Sequence, residues 1–248
     1  MLFINMKVNI AIPSHRRHNT IGDETLQFLP YLPDDWTVTV FVHDEKDEKL
    51  YKDMICEKVV NTKAPLGIQH MRNAILDHYP KGEKILMLDD DVQALHLKSG
   101  QKLYEVNGNK FIQFVETAFK KLEENNMKLF GVYPVPNAYF MNDKIKLDGF
   151  CIGTFLGVIS SELRFDENLP MKEDYDFTLQ HIKAHNGIMR YNQMTIEAKH
   201  YKNTGGIFLQ RNKQREIAAV EYLMQKWQGW VKRNPKKKGE ILINRIFK

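Results

Sequence analysis

The chain has 248 residues, of which 43% are hydrophobic and 11% aromatic, enough to bury one sizeable core. Its net charge is +5, and its two cysteines, Cys56 and Cys151, are too few for a disulfide framework or a cysteine zinc site. The sequence has no apolar run of the roughly 18 residues that a membrane span needs, and its first residues do not resemble a secretory signal. We therefore expect a cytoplasmic protein.

Strands and helices are predicted to alternate along the first third of the chain. The apolar run Val8–Pro13 predicts a strand, and a short helix is predicted over Asp23–Leu29. The β-branched segment Trp36–His43 predicts a second strand, and Lys58–Thr62 a third. Apolar residues at helical spacing over Leu66–Pro80 predict a helix that the proline ends.

The next predicted strand, KILMLDDDV (Lys84–Val92), ends in three aspartates. Since side chains alternate along an extended strand, we expect Asp89 and Asp91 to project to one side and Asp90 to the other. Adjacent carboxylates repel one another, and a hard divalent cation with oxygen ligands would compensate them. The pattern therefore predicts Mg²⁺ or Mn²⁺ at Asp89 and Asp91. The alternative is an acidic turn after an ordinary strand.

The rest of the chain continues the alternation of helices and strands typical of an α/β sheet. A helix is predicted over Phe111–Asn125, a strand over Leu129–Tyr133 and a strand or pair of strands over Phe150–Ser160. A helix over Asp174–His185, a strand over Met194–Tyr201 and a long terminal helix over Gly206–Val231 follow. Ligands of open α/β sheets bind beyond the carboxyl ends of the strands. Three polar segments follow predicted strands there: Ser14–Arg17, His43–Glu45 and Asp89–Asp91.

The positive charge is concentrated in the last part of the chain. From Arg211 to Lys248 there are eleven Lys and Arg against three Glu, so the preceding residues carry about −3. Basic residues beside tryptophans suit a phosphate backbone with stackable bases. The alternative is a solvated helix face whose tryptophans pack inward. The residues concerned are Trp227, Trp230, Lys236, Lys237 and Lys238.

The order of five segments resembles the GT-A fold of nucleotide-sugar glycosyltransferases, particularly the family 2 type. These segments are IAIPSHRR, FVHDE, PLGIQHMRNAIL, ILMLDDDV and MKEDYDF, and His200 follows them. The resemblance covers roughly residues 7 to 203. It implies a Rossmann-like mixed α/β sheet flanked by helices over residues 1–205. Residues 206–248 would then form a basic helical extension packed on that domain.

The resemblance also implies roles for particular residues. A UDP-sugar would bind Pro13, Ser14, Arg16, Asp44, Gly67, Arg72, Asp89 and Asp90. Asp89 and Asp91 would hold Mn²⁺ or Mg²⁺ at the diphosphate, and His200 would complete the metal shell unless it is a core histidine. Asp174 would be the base of an inverting reaction, unless it only caps the helix that it begins.

The compact size, the KEDYDF segment, the HYKNTGG segment and the basic tail resemble small glycosyltransferases that modify hypermodified pyrimidines in bacteriophage DNA. This implies transfer of glucose, arabinose or a related sugar to a hydroxymethyl or hydroxyl group on the base. The acceptor would be bound by Glu173, Trp227, Trp230, Lys236, Lys237 and Lys238. His200–Gly206 would form a lid over the donor. The alternatives are a glycosyltransferase of polysaccharide precursors and a metal-dependent nucleotidyltransferase.

Overall fold

A ten-stranded mixed sheet forms the centre of the protein in the computed structural model. The structure describes residues 6–29, 31–54, 57–199, 213–244 and 246. The predicted metal ligand His200 and the predicted lid His200–Gly206 lie outside these residues. No described helix is long and apolar enough to cross a membrane.

The elements alternate as the sequence predicts, with additional strands after the triple aspartate. The strands are β1 (Val8–Pro13), β2 (Trp36–Val42), β3 (Lys58–Asn61), β4 (Lys84–Leu88), β5 (Val92–Ser99), β6 (Lys102–Glu105), β7 (Leu129–Tyr133), β8 (Ile145–Lys146), β9 (Phe155–Ile159), β10 (Met189–Ala198), β11 (Val231–Arg233) and β12 (Ile241–Ile243). The helices are α1 (Thr25–Phe28), α2 (Glu45–Met54), α3 (Ile68–His78), α4 (Gly108–Glu124), α5 (Glu173–His185) and α6 (Lys213–Lys226).

The strand order is β3-β2-β1-β4-β9-β7-β10-β5-β6, and β8 also pairs with β10. Strands β1 to β4 are parallel, as is the β7–β10 pair, whereas β9 runs antiparallel between β4 and β7. The carboxyl ends of β1, β2, β4 and β7 therefore meet at one edge of the sheet, where β9 begins. This confirms the predicted mixed α/β sheet flanked by helices.

Each face of the sheet is covered by helices whose apolar side chains are spaced for burial. Helix α4 packs one face through residues such as Val115 and Phe119. Helices α3, α5 and α6 pack the other face. Burying one such side chain contributes roughly 1.5–3 kcal/mol. Gly157 in β9 is required by this packing, because a Cβ there would lie 1.8 Å from Cε1 of Phe130.

The C-terminal segment differs from the predicted helix of Gly206–Val231. Its described part is helical only from Lys213 to Lys226, and the chain then turns at Gly229, where φ is +83°. Strands β11 and β12 follow as an antiparallel hairpin. The basic run is thus in a hairpin and not in a helical extension, because the helix ends at Lys226 and the chain turns at Gly229 before the basic run begins.

Helix α6 is attached to α5 by polar contacts as well as apolar ones. The Trp227 indole donates to Asp176 Oδ1 at 2.7 Å, and Lys226 Nζ lies 2.9 Å from the same oxygen. Trp227 is only 7% exposed, so the structure corrects its prediction as a stacking platform for DNA and agrees with the inward-packing alternative. Trp230 is half-buried, with its ring centroid 5.7 Å from that of Trp227.

Candidate active site

Four segments meet at the carboxyl edge of the sheet, where the sequence predicts a ligand site. Residues 14–17 follow β1, residues 43–44 follow β2 and residues 89–91 follow β4. Residues 149–154 run along the same edge into β9, and the Asp89 amide donates to the Thr154 carbonyl at 3.2 Å. Beside them lie the buried Arg72 of α3 and the first residues of α5.

Arg72 joins β4 to α5. Its Nη2 donates to Asp89 Oδ1 at 3.0 Å, and its Nη1 donates to Glu173 Oε1. The guanidinium lies against the backbone of Gly153, where a Cβ would be 2.4 Å from Nη1. Burial and the neighbouring Asp174 raise the pKa of Glu173, and Arg72 opposes this rise. Arg72 is therefore part of the buried site and not a surface residue.

A second arginine, Arg17, joins β1 to the other two aspartates. Its Nη1 donates to Asp90 Oδ1 and lies 3.3 Å from Asp91 Oδ2. Asp90 also accepts from the Ser14 hydroxyl. Burial raises the pKa of Asp90 to about 7 despite the opposing charge of Arg17. Asp90 thus ties the β1 loop to the end of β4.

The three aspartates do not alternate as predicted. Strand β4 ends at Leu88, and Asp90 and Asp91 lie in a turn before β5. Asp89 faces Arg72, whereas Asp90 and Asp91 both face Arg17. The alternation of an extended strand does not apply here because the backbone leaves the strand before the second aspartate.

Asp174 lies in the first turn of α5 beside the Arg72 cluster. Its Oδ2 accepts from the Gly153 amide at 3.0 Å, and its Oδ1 accepts from the Tyr175 amide at 3.0 Å. Burial raises the pKa of Asp174, and Arg72 opposes the rise. Because Asp174 is half-buried and held by two amides, it is a fixed carboxylate that a substrate hydroxyl can approach.

The cluster has more acidic than basic groups. Five carboxyl groups meet the two guanidinium groups of Arg17 and Arg72, and they belong to Asp89, Asp90, Asp91, Glu173 and Asp174. Carboxylate oxygens suit Mg²⁺ or Mn²⁺, and a divalent cation would offset the excess charge. The described residues contain no group of three or more side chains that could hold a metal ion. The role of Asp89 and Asp91 as ligands of a metal that takes its remaining ligands from water and phosphate stays a prediction.

The other residues predicted to bind the donor lie at the ends of strands and helices, and of these Ser14 contacts an aspartate of the cluster. Pro13 ends β1, and the exposed Asp44 caps α2 by accepting from the Asp47 amide at 2.8 Å. Gly67 precedes α3 with φ at +135°, a conformation that favours glycine. Arg16 is exposed, with φ at +56°. Its neighbour Arg17, which was not predicted, makes the contacts to the aspartates.

Sequence reasoning also missed the residues that hold the β1 loop in place. His15 Nδ1 lies 2.8 Å from Asp47 Oδ2, and the Arg17 amide donates to the Tyr51 hydroxyl at 2.8 Å. Tyr51 Oη is 2.6 Å from Ser14 Oγ. Asp47 and Tyr51 belong to α2, which was not predicted because its sequence is almost entirely charged. The Asp44 cap followed by Glu and Lys was the available signal.

The predicted acceptor lysines lie in the turn between β11 and β12, residues 234–240, which we call the lysine turn. Lys236, Lys237 and Lys238 are all exposed there. Glu240 at its end pairs with Lys172 at 3.0 Å, two residues before Asp174. The ion pair brings the lysine turn close to the start of α5.

The sheet, its helices and the acidic cluster define the GT-A glycosyltransferase fold. Three solved structures share it. S. aureus TarS with UDP-GlcNAc matches with 15% identity and a TM-score of 0.55, over 88% of this chain and 67% of that one. The mannosyltransferase PcManGT from Pyrobaculum calidifontis, with GDP-Man and Mn²⁺, matches with 14% identity and a TM-score of 0.59, over 94% of this chain and 67% of that one. Glucosyl-3-phosphoglycerate synthase from Mycobacterium tuberculosis, with Mn²⁺, UDP-Glc and phosphoglyceric acid, matches with 11% identity and a TM-score of 0.59, over 92% of this chain and 82% of that one.

A family model described as TET-Associated Glycosyltransferase matches residues 8–206, and the chain belongs to that family. No curated protein matches the sequence significantly. The chain spans 59% of the length of one TarS structure that it matches. The chain is therefore a member of a glycosyltransferase family, in agreement with the resemblance seen in its sequence.

Proposed function

We propose that this protein is a metal-dependent, inverting glycosyltransferase that moves a sugar from a UDP-sugar to a hydroxyl group on a modified pyrimidine in DNA. The observation that carries the proposal is the Asp174 carboxylate, fixed by two amides beside the Asp89–Arg72–Glu173 cluster. It pairs a candidate base with a charged site for a diphosphate leaving group.

The donor side of the proposal is supported by charge and by the structural relatives. Arg72 is a buried cation at the edge where the diphosphate would lie, and it is held by Asp89 and Glu173. A Mg²⁺ or Mn²⁺ ion bound at Asp89 and Asp91 would neutralise charge on the diphosphate. TarS and the mycobacterial synthase were solved with UDP-sugars, and the synthase and PcManGT with Mn²⁺.

The mechanism assigns the acid–base step to Asp174. A carboxylate within hydrogen-bond reach of the acceptor hydroxyl would take its proton as the oxygen attacks the sugar carbon. Direct attack from the face opposite the diphosphate inverts that carbon. Burial raises the pKa of Asp174 above its usual value, which makes it a stronger base when ionised.

The DNA acceptor is supported by the family description and by the lysine turn. The family model is described as TET-associated, which fits the resemblance to glycosyltransferases that modify bases in DNA. The Lys172–Glu240 ion pair ties the lysine turn to the start of α5, the helix that carries Asp174, and the three lysines of the turn are exposed. Exposed cations suit a phosphate backbone more than a neutral small acceptor.

The test is to incubate the protein with Mn²⁺, a panel of UDP-sugars and DNA containing hydroxymethylated pyrimidines. Nucleosides released from that DNA are then examined by mass spectrometry. We expect a nucleoside heavier by one sugar together with release of UDP. Pyrophosphate release would indicate nucleotidyl transfer. Sugar transfer to a polysaccharide precursor but not to DNA would contradict the proposed acceptor.

A further inference from the structure

Arg190 is a half-buried cation that lies against residues 149–150, and the mechanism above gives it no role. It lies in β10 opposite Gly131 of β7, with its guanidinium carbon 5.2 Å from the centroid of the Tyr133 ring. Its Nε donates to Asn192 Oδ1 at 2.8 Å, and its Nη1 contacts the Phe150 carbonyl at 3.4 Å. A Cβ at Gly149 would lie 2.8 Å from the guanidinium, so the loop is built around this side chain.

The partners of Arg190 differ from those of Arg17 and Arg72. Each of those two contacts two carboxylates. Among the described residues, Arg190 has no ion pair, which would need a carboxylate oxygen within 4.0 Å of one of its guanidinium nitrogens. Asp148 acts on it only at longer range and is engaged by Lys146 at 3.5 Å and by the Ile246 amide at 2.8 Å.

A buried cation that has only neutral partners is costly to desolvate. Burial lowers the pKa of Arg190, which expresses that cost. An anion reaching the half-buried guanidinium would offset it through charge-assisted hydrogen bonds. Oxygen ligands of that kind include the phosphates of a nucleic acid backbone and the diphosphate of a nucleotide-sugar.

The position of Arg190 favours the acceptor phosphate. Residues 149–154 separate the two sides of the site: Gly149 at one end lies against Arg190, and Gly153 at the other lies against Arg72. Asp174 accepts from Gly153, near the donor cluster. Phe150 and Tyr175 stack with ring centroids 3.8 Å apart, and the Phe150 carbonyl contacts Arg190. The donor diphosphate would lie at the Arg72 end.

We propose that Arg190 binds a backbone phosphate of the acceptor strand and so positions the modified base before Asp174. This inference rests on the proposed function. It assigns Arg190 to acceptor binding and leaves donor binding to Arg72 and the aspartates. The half-buried rings of Tyr133, Phe150 and Tyr175 would form the apolar wall of the same subsite.

The test combines Arg190→Gln with neutralisation of single phosphates in the acceptor. The probe is an oligodeoxynucleotide with one hydroxymethylcytosine, prepared with a phosphodiester or a neutral methylphosphonate at each flanking linkage. For the native protein, one methylphosphonate should raise the acceptor KM by about tenfold or more. Arg190→Gln should raise it by a similar factor, with no further rise from that methylphosphonate. Arg190→Lys should restore part of the loss.

Three controls keep the outcomes distinct. Arg164→Gln, which removes an arginine paired with Asp77 on the surface, should leave the acceptor KM unchanged. If Arg190→Gln and the methylphosphonate raise the acceptor KM independently, so that their factors multiply, the inference is overturned. It is also overturned if Arg190→Gln raises only the donor KM, because the donor diphosphate would then be the anion bound at Arg190. If the native protein transfers sugar to no hydroxymethylated DNA, the proposed function itself fails, a result that the first measurement already separates.

Discussion

Two arginines divide the three aspartates between them, and the division separates their expected roles. Asp91 and Asp89 contact different guanidinium groups across the cluster. Asp90 is bound to Arg17 and to Ser14, which joins it to the β1 loop. We infer that Asp90 mainly holds the loop, and that Asp89 and Asp91 serve the metal and the donor.

Asp91→Ala is expected to abolish transfer and to weaken donor binding, because it removes a carboxylate that would hold the metal beside the diphosphate. Turnover and UDP-sugar affinity, measured with Mn²⁺ and after its removal by EDTA, check this. Asp143→Ala, at an exposed aspartate, is the matched control and should behave as the native protein. Full activity of Asp91→Ala in excess EDTA would contradict the assignment.

Asp174→Asn is expected to lower turnover by about 10²-fold or more while nucleotide binding remains measurable, as for a lost general base. The base acts when ionised, and burial raises its pKa. Native activity should therefore fall as the pH is lowered through that raised pKa, and the substitution should remove this limb. The pH profile of kcat, with the melting temperature, checks both. A lower melting temperature with normal turnover would leave Asp174 as a helix cap only.

At the scale of single residues, the sequence predicted residue types better than partners. Its triple aspartate, Arg72 and Asp174 do come together in the structure. It favoured Arg16 over Arg17, because nothing in a loop sequence shows which of two adjacent arginines turns inward. In the folded chain the backbone at Arg16 has a positive φ, the Arg16 side chain is exposed, and the Arg17 side chain contacts the aspartates.

Among the elements, residues 149–154 form the most constrained part of the site. Gly153 both donates to Asp174 and lets the Arg72 guanidinium lie against the backbone. A prediction of a strand from Phe150 to Ser160 missed this, since β9 begins only at Phe155. Small residues in an apolar run predict a strand by composition. That Gly153 leaves space for the buried Arg72 guanidinium depends on tertiary structure, which the composition does not show.

Gly153→Ala is expected to reduce turnover by about tenfold or more, because its Cβ would lie 2.4 Å from Arg72 Nη1 and force the guanidinium away from Asp89 and Glu173. Overpacking of this kind also costs about 1–3 kcal/mol of folding free energy. Gly22→Ala is the matched control, since nothing lies within 4 Å of its Cβ. Steady-state kinetics and thermal unfolding of both variants check this prediction. Equal turnover in the two variants would contradict the proposal that Gly153 leaves space for the Arg72 guanidinium.

Helix α2 was missed because it is rich in charged residues and so lacks the apolar periodicity on which prediction depends. Its available signal was local, an aspartate cap before the helix. The β5–β6 hairpin, also missed, turns at Gly100, where φ is +60°. Strands β1 and β7 were predicted with their observed bounds because they are continuous buried runs.

For the whole molecule, positive charge is concentrated in the C-terminal part, and we propose that the lysine turn binds the DNA acceptor. Replacing Lys236, Lys237 and Lys238 by Gln should weaken DNA binding. The slope of the logarithm of the binding constant against the logarithm of the salt concentration should become shallower by about 0.7–0.9 per lost phosphate contact. Donor affinity should not change. A control with Lys102, Lys110 and Lys120 to Gln removes the same charge from exposed positions elsewhere. Binding at several salt concentrations checks this, and superimposable curves for the two triple variants would remove the role of the lysine turn.

The Lys172–Glu240 ion pair can form only after both of its residues have been translated. The two residues are 68 positions apart, so the ribosome delivers Glu240 about 3–14 s after Lys172. During that interval α5 and the cluster around Asp174 have already been synthesised, but the lysine turn is still absent. The start of α5 and the lysine turn are therefore joined only late in translation. If the lysine turn binds the acceptor as we propose, a nascent chain released before Glu240 would lack that binding surface.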